Sequence, residues 1–110
     1  MDTNLAYAEI LTHVLQEECK VQFRTIPRLK KIAACDRESG QFLLVLIGRD
    51  NQDHWNHSIF FHAQLINGNV IIEVDNSEGI STRLLEAGIR AEHLFSGDQF
   101  EYDKNIQLAA

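Results

Sequence analysis

The chain has 110 residues and a formal net charge of −6, which limits the kinds of protein it can be. This length supports one hydrophobic core, so residues 1–110 are predicted to form a single domain. The acidic charge argues against a protein that holds nucleic acid by neutralising phosphates, because such proteins carry basic patches. With no secretory leader and no apolar run near the roughly 18 residues of a membrane span, the sequence predicts a cytoplasmic protein without membrane contact.

The first half of the chain predicts a helix and two strands. Apolar residues recur at helical spacing over residues 4–19 and predict an amphipathic helix whose buried stripe is Tyr7, Leu11, Val14 and Leu15. Residues 29–36 predict a short strand, and Gly40 closes the turn after it because glycine tolerates a positive φ. The unbroken apolar run QFLLVLIGR, Gln41–Arg49, predicts a strand that is buried, or nearly buried, on both faces and lies near the centre of a sheet.

A β-hairpin is predicted next. Residues 57–66 predict a strand, and Asn67-Gly68 is a strong signal for a type I′ turn because both residues tolerate the left-handed conformation. The turn leads into NVIIEVD, residues 69–75. Strand alternation places Val70, Ile72 and Val74 on one face of this strand and Ile71, Glu73 and Asp75 on a wetter face.

A second helix is predicted over residues 79–87, ended by Gly88. Its inward residues are expected to be Ile80, Leu84 and Leu85. Residues 89–110 show weak periodicity. These elements together predict an α+β fold, a mainly antiparallel sheet with an N-terminal helix and a second helix packed on one face.

The stretch DHWNHSIFFH contains His54, His57 and His62 and raises the question of a metal site. In a strand, His57 and His62 are five residues apart and are expected to point to opposite faces, so they cannot share one ion. Zinc sites in proteins use three or four ligands. The sequence therefore predicts neither a metal site nor a cofactor, and His62 is expected to be a partly buried hydrogen-bonding residue.

Three carboxylates suggest a different possibility. Asp50, Glu73 and Asp75 could form a metal-dependent nuclease or hydrolase, but no lysine follows two positions after Glu73 and a solvated acidic strand face is favoured. Cys19 and Cys35 have no CxxC spacing and are expected to be small buried residues. No known catalytic motif is present, so the sequence predicts a protein that is not an enzyme.

The order of segments is similar to that of a known family. The run QFLLVLIGRD and the stretch HSIFFHAQLINGNVIIEVDNSEGISTRLLEAGIRAEHL resemble the XisI family, the fdxN-element excision controlling factors of cyanobacteria. The most specific part is residues 66–94, with the Asn67-Gly68 hairpin and a pattern from Gly79-Ile80 to Gly88-Ile89. The family's tryptophan after the apolar strand is Arg49 here, and the family's closing proline and arginine are missing from the tail.

The resemblance implies a small α+β domain that serves as an accessory factor in programmed excision of a DNA element. It implies action beside a nuclease-like partner of the XisH type and a site-specific recombinase, without a catalytic residue of its own. The acidic charge fits contact with a basic, DNA-handling protein better than direct nucleic-acid binding.

A partner-binding surface is predicted on the wetter sheet face and the tail. Its residues are Ile71, Glu73, Asp75, Phe100 and Tyr102. Aromatic residues beside acidic ones are typical interface anchors. The alternative interpretation is that Phe100 and Tyr102 complete the hydrophobic core beneath the tail. A homodimer or higher homo-oligomer is expected. A small-ligand-binding regulatory domain, using the cleft between the sheet and the second helix, stays open as an alternative.

Overall fold

The computed structural model describes residues 3–100. Its elements are, in order, helix α1 (Thr3–Cys19), strands β1 (Leu29–Asp36), β2 (Gln41–Arg49), β3 (Trp55–Ile66) and β4 (Asn69–Asp75), helix α2 (Ile80–Ala87) and strand β5 (Leu94–Ser96). The strands form one sheet in the order β1-β2-β3-β4-β5, with antiparallel neighbours except for the parallel pair β4 and β5. The predicted α+β fold is confirmed.

The turns that join the antiparallel strands follow from local sequence. Gly40 has a φ of 71°, and Asn67 and Gly68 have φ values of 50° and 79°, as a type I′ turn requires. The backbone N–H of Gly68 donates to Asn4 Oδ1 at 2.6 Å, which ties the hairpin to the start of α1. The predicted strands match β1, β2 and β4, whereas β3 begins two residues earlier than predicted.

Both helices pack on the same face of the sheet. Their core cluster includes the predicted stripe of α1, together with Phe42, Leu44, Phe61, Ala63, Leu65, Val70, Ile80 and Leu84. The prediction that Leu85 points inward is wrong, since Leu85 is 41% exposed. Adjacent helix residues are about 100° apart around the axis, so a narrow contact stripe buries Ile80 and Leu84 and leaves Leu85 outside.

The segment after α2 contains a 3₁₀ turn (Ala91–His93) and the short strand β5, neither of which was predicted. Tyr7 anchors this segment to α1. Its hydroxyl lies 2.6 Å from His93 Nδ1 and accepts the backbone N–H of Arg90 at 3.2 Å, while the Tyr7 side chain is buried in the core. Among residues 3–100, no helix has the length and apolar character that crossing a membrane requires.

Candidate functional site

One face of the sheet carries neither helix. Across strands β1, β2 and β3 the register aligns Ile32 with Val45 and Val45 with Ile59, so these side chains share that face. Ile32 is 46% and Ile59 is 43% exposed. We call this surface the uncovered face, and it comprises Ile32, Ala34, Leu43, Val45, Ile47, Trp55 and Ile59. The predicted burial of β2 on both faces is met only in part, because both helices lie on the other side and Leu43, Val45 and Ile47 are partly exposed.

A β-bulge in β3 decides which side chains reach the uncovered face. Leu44 pairs with Phe61 and Val45 pairs with Ile59, which leaves Phe60 as an extra residue. Phe60 packs against the core cluster on the helix side. An extra residue reverses the alternation of all preceding positions, so Ile59 points away from the helices while Phe61 points towards them.

The same bulge corrects the prediction for the histidines. His57 pairs with Ile47 and His62 pairs with Leu43, which are an even number of residues apart on β2. Both histidines therefore lie on the uncovered face, not on opposite faces, because simple alternation did not account for Phe60. Four residues of strand separate them by about 13 Å, so they still cannot bind one ion together.

The two ends of the uncovered face differ in charge. Lys30 and Arg49 lie at one end, and the Arg49 guanidinium sits 5.8 Å from the ring centroid of Trp55, which is 60% exposed. Asp36 lies at the other end, at the last pair of β1 with β2. The Ser39 hydroxyl donates to Asp36 Oδ2 at 2.6 Å and holds the pKa of that carboxyl below its usual value, so Asp36 is ionised at neutral pH.

A chain of polar side chains crosses the acidic end of the uncovered face. His62 Nε2 lies 2.7 Å from Gln41 Oε1, and Gln41 Nε2 donates to Gln64 Oε1 at 3.0 Å. Gln64 Nε2 donates in turn to Glu73 Oε2 at 2.6 Å. The expected hydrogen-bonding role of His62 is confirmed, and Glu73 brings a carboxylate to the same end as Asp36.

Two predicted partner-binding residues are buried. Ile71 is 0% exposed, and its neighbour in the parallel register is Phe95. The Phe95 ring meets the Phe100 ring at 5.4 Å between centroids, and Phe100 is only 8% exposed. The prediction that Ile71 lies on a wet surface is therefore wrong, and Phe100 completes the packing beneath the tail. Tyr102 lies outside the described residues.

Glu73 and Asp75 are exposed, as predicted. The register shift between β3 and β4 makes Glu73 an extra residue, which breaks the regular alternation predicted for β4. Asp75 is fixed by hydrogen bonds from the Ser77 backbone N–H at 2.9 Å and the Ser81 hydroxyl at 3.2 Å. Asp75 therefore organises the entry into α2, while Glu73 is held through Gln64.

Asp50 does not join these carboxylates. It lies in the loop before β3, whereas Asp75 pairs with Phe61, which is on the order of 17 Å further along that strand. Backbone N–H groups of His54 and Gln52 donate to Asp50 at 2.9 Å each and lower its pKa, so Asp50 stabilises its own loop. Within residues 3–100, no three His, Cys, Asp or Glu side chains are grouped to hold a metal ion.

A cleft of about 510 Å³ opens between the sheet and the start of α2. Lys31 lies in its wall with a side chain that is only 5% exposed, 2.8 Å from Glu18 Oε2 and 4.9 Å from the Phe23 ring centroid. Arg83 binds the other oxygen of Glu18. Burial raises the pKa of Glu18, but the hydrogen bonds from Lys31 and Arg83 outweigh burial and hold that pKa below its usual value.

Comparisons with known proteins agree with this architecture. The family model described as XisI protein matches residues 1–107. The fold is similar to that of the fdxN element excision controlling factor XisI from Anabaena variabilis, with a TM-score of 0.69, 19% identity, and coverage of 93% of this chain and 92% of that one. A XisI-like protein from the same organism has a TM-score of 0.73, 14% identity and 91% coverage of each chain. No curated protein matches the chain.

Proposed function

Because this chain belongs to the XisI family, we propose that it is a non-enzymatic accessory factor that controls excision of a DNA element by binding other proteins. A structure with the same fold is named an excision controlling factor. The observation that carries the proposal is the exposed acidic surface around Glu73 and Asp75, since opposite charge favours contact with a basic, DNA-handling protein.

The proposed partner is a nuclease-like protein of the XisH type, acting with a site-specific recombinase. Charge supports this choice. Residues 73–100 contain six acidic residues against Arg83 and Arg90, and Arg83 is already paired with Glu18. Proteins that handle DNA present basic surfaces, so opposite charge would raise the rate of association. The same acidic surplus would repel DNA itself.

Of the residues predicted to bind the partner, Glu73 and Asp75 remain as exposed candidates. Asp75 also holds the entry to α2 through Ser77 and Ser81, so its replacement would confuse folding with binding. Glu73 is the better probe. Its hydrogen bond from Gln64 Nε2 is an exposed contact, and circular dichroism verifies that a variant at this position stays folded.

The test measures association of the purified chain with the nuclease-like protein as a function of salt. We expect Glu73→Lys to slow association by roughly three- to tenfold at low salt, with the difference shrinking as salt rises. Glu38→Lys is the matched control, because Glu38 is also exposed and the charge change is the same. Equal rates for the two variants would reject the acidic surface around Glu73 as the contact.

The cleft favours a second candidate function, a ligand-binding regulatory domain. Its volume lies within the range of small-molecule sites, and its wall combines Phe23 and Phe60 with the buried charge of Lys31. Thermal shifts measured with a metabolite panel test this possibility. An increase in melting temperature that Lys31→Met abolishes would support this function. No change in melting temperature with any metabolite would exclude it. The separation of Asp50 from Glu73 and Asp75 gives the nuclease alternative no such support.

A further inference from the structure

We propose that the uncovered face joins two copies of this chain into a homodimer, packed sheet on sheet with their strands running in opposite directions. The proposal goes beyond the proposed function and does not rest on it. In this arrangement the uncovered face binds a second copy of the chain, and the acidic surface around Glu73 binds the nuclease-like protein.

The apolar content of the face calls for a partner. On β2, which has 9 residues, the side chains pointing away from the helices include Leu43, Val45 and Ile47, where a solvated face would carry polar residues. Ile32 and Ile59 flank Val45 and are nearly half exposed. Sheets bury such faces against a second layer. In the described part of the chain both helices lie on the opposite side, and on this side Phe95 and Phe100 cover Ile71 of β4. Ile32 and Ile59 stay nearly half exposed.

The apolar part of the face supplies about half of the area that a standard interface buries on each partner. Strand β1 has 8 residues and is about 26 Å long, and three strands span about 14 Å, giving on the order of 370 Å² of flat face. That is the size of patch that marks an interaction site. A standard interface buries about 800 Å² per partner, so the polar rim must take part as well. The interface should therefore dissociate at accessible concentrations.

Charge complementarity sets the orientation. Face-to-face copies are related by a two-fold axis in the plane of the interface. An axis along the strands would place the Lys30 and Arg49 end against itself. An axis across the strands reverses the strand direction of the second copy. Lys30 of one copy then faces Asp36 of the other, and Asp36 of the first copy faces Lys30 of the second. Val45 and Ile59 then lie near the axis, because they are level with the middle of β1.

The second orientation is favoured because unlike charges meet at both ends of the interface. It also matches the way sheets pack, with strand directions aligned to within about 30° and layers about 10 Å apart. Each Lys30–Asp36 contact occurs twice in the dimer, which doubles the effect of any substitution at either position.

The test measures the mass of the full chain alone by sedimentation equilibrium over a wide concentration range. Wild type should dissociate from dimer to monomer on dilution. Ile59→Lys should weaken the dimer by at least about 100-fold, because it buries two unpaired charges at the centre of the interface. Leu85→Lys is the matched control, since Leu85 is 41% exposed on the helix side, close to the 43% of Ile59, and it should leave the dimer intact.

A charge exchange tests the orientation. Lys30→Glu should weaken the dimer roughly tenfold, and adding Asp36→Lys should restore most of the loss. Because Asp36 also caps its turn, Asp36→Asn, which keeps the acceptor, provides a milder version that should weaken the dimer several-fold. Circular dichroism verifies the fold of every variant.

A monomeric wild type, or a dimer that survives Ile59→Lys, would overturn the proposal. A dimer that Lys30→Glu strengthens would overturn the antiparallel orientation. Because these measurements use the chain alone, they can fail without any bearing on binding to the nuclease-like protein.

Discussion

Replacing Glu18 with glutamine should destabilise the fold by about 2–4 kcal/mol. Glu18 sits at the end of α1 and binds Lys31 on β1 and Arg83 on α2, so one carboxylate joins three elements. The Lys31 side chain is 5% exposed and Glu18 is 16% exposed. Removal of the carboxylate leaves a buried ammonium without its counter-charge. Breaking a fully buried pair costs about 3–5 kcal/mol, and glutamine recovers part of it by keeping one acceptor.

Urea unfolding followed by circular dichroism measures this cost. The matched control is Glu17→Gln, since Glu17 is 42% exposed and binds Lys20, which is 71% exposed, at 3.1 Å. An exposed pair of this kind contributes at most about 1 kcal/mol. Glu18→Gln should therefore lower the melting temperature by roughly 10 °C or more while Glu17→Gln barely changes it. Equal effects of the two substitutions would refute the assigned role of the buried pair.

The pH dependence of stability gives a second measurement on Glu18. Its pKa in the folded protein lies below the usual value, so the unfolded chain binds the proton more tightly. Glu18 therefore stabilises the fold fully above the ordinary glutamate pKa of about 4.3, and this contribution declines as the pH falls from there through the folded pKa. Wild type should lose more stability than Glu18→Gln on acidification through this window. Parallel curves would contradict the assignment.

Three further predictions concern packing and the thiols. Tyr7→Phe removes a buried hydroxyl with two hydrogen bonds and should cost about 1–3 kcal/mol in urea unfolding, and a neutral result would contradict the anchoring of the C-terminal segment. Gly48→Ala should cost about 3 kcal/mol or more, because φ is 134° and a Cβ would meet the Arg28 carbonyl oxygen at 2.0 Å; a wild-type melting temperature would exclude this contact. Cys19 and Cys35 are only partly buried, not fully buried as predicted, and this partial burial raises the pKa of both thiols. Alkylation at pH 7, followed by mass spectrometry, should therefore be at least about tenfold slower in the folded protein than in urea, and equally fast labelling would contradict this protection.

Element positions could be predicted because the turns have strong local signals. Asn67 and Gly68 fix the hairpin, Gly40 fixes the turn before β2, and both signals depend only on residues that tolerate a positive φ. Strand β5 could not be found in this way. Three residues are too few to show a period, and their parallel partner β4 is distant in sequence.

Which face each side chain takes was harder to predict, because β-bulges have no reliable sequence signature. One extra residue at Phe60 moves His57 onto the face of His62. The apolar run of β2 could likewise be recognised from the sequence, whereas the placement of both helices on one side of the sheet could not. The exposure of Ile32 and Ile59 follows from that tertiary arrangement, so the uncovered face emerged only from the structure.

We propose that this XisI-family chain acts by binding a nuclease-like protein. Co-expression of the two proteins, followed by size-exclusion chromatography with light scattering, tests it most directly. We expect the two proteins to co-elute as a complex of defined mass that weakens with added salt. Separate elution at all salt concentrations, with each protein folded, would contradict it.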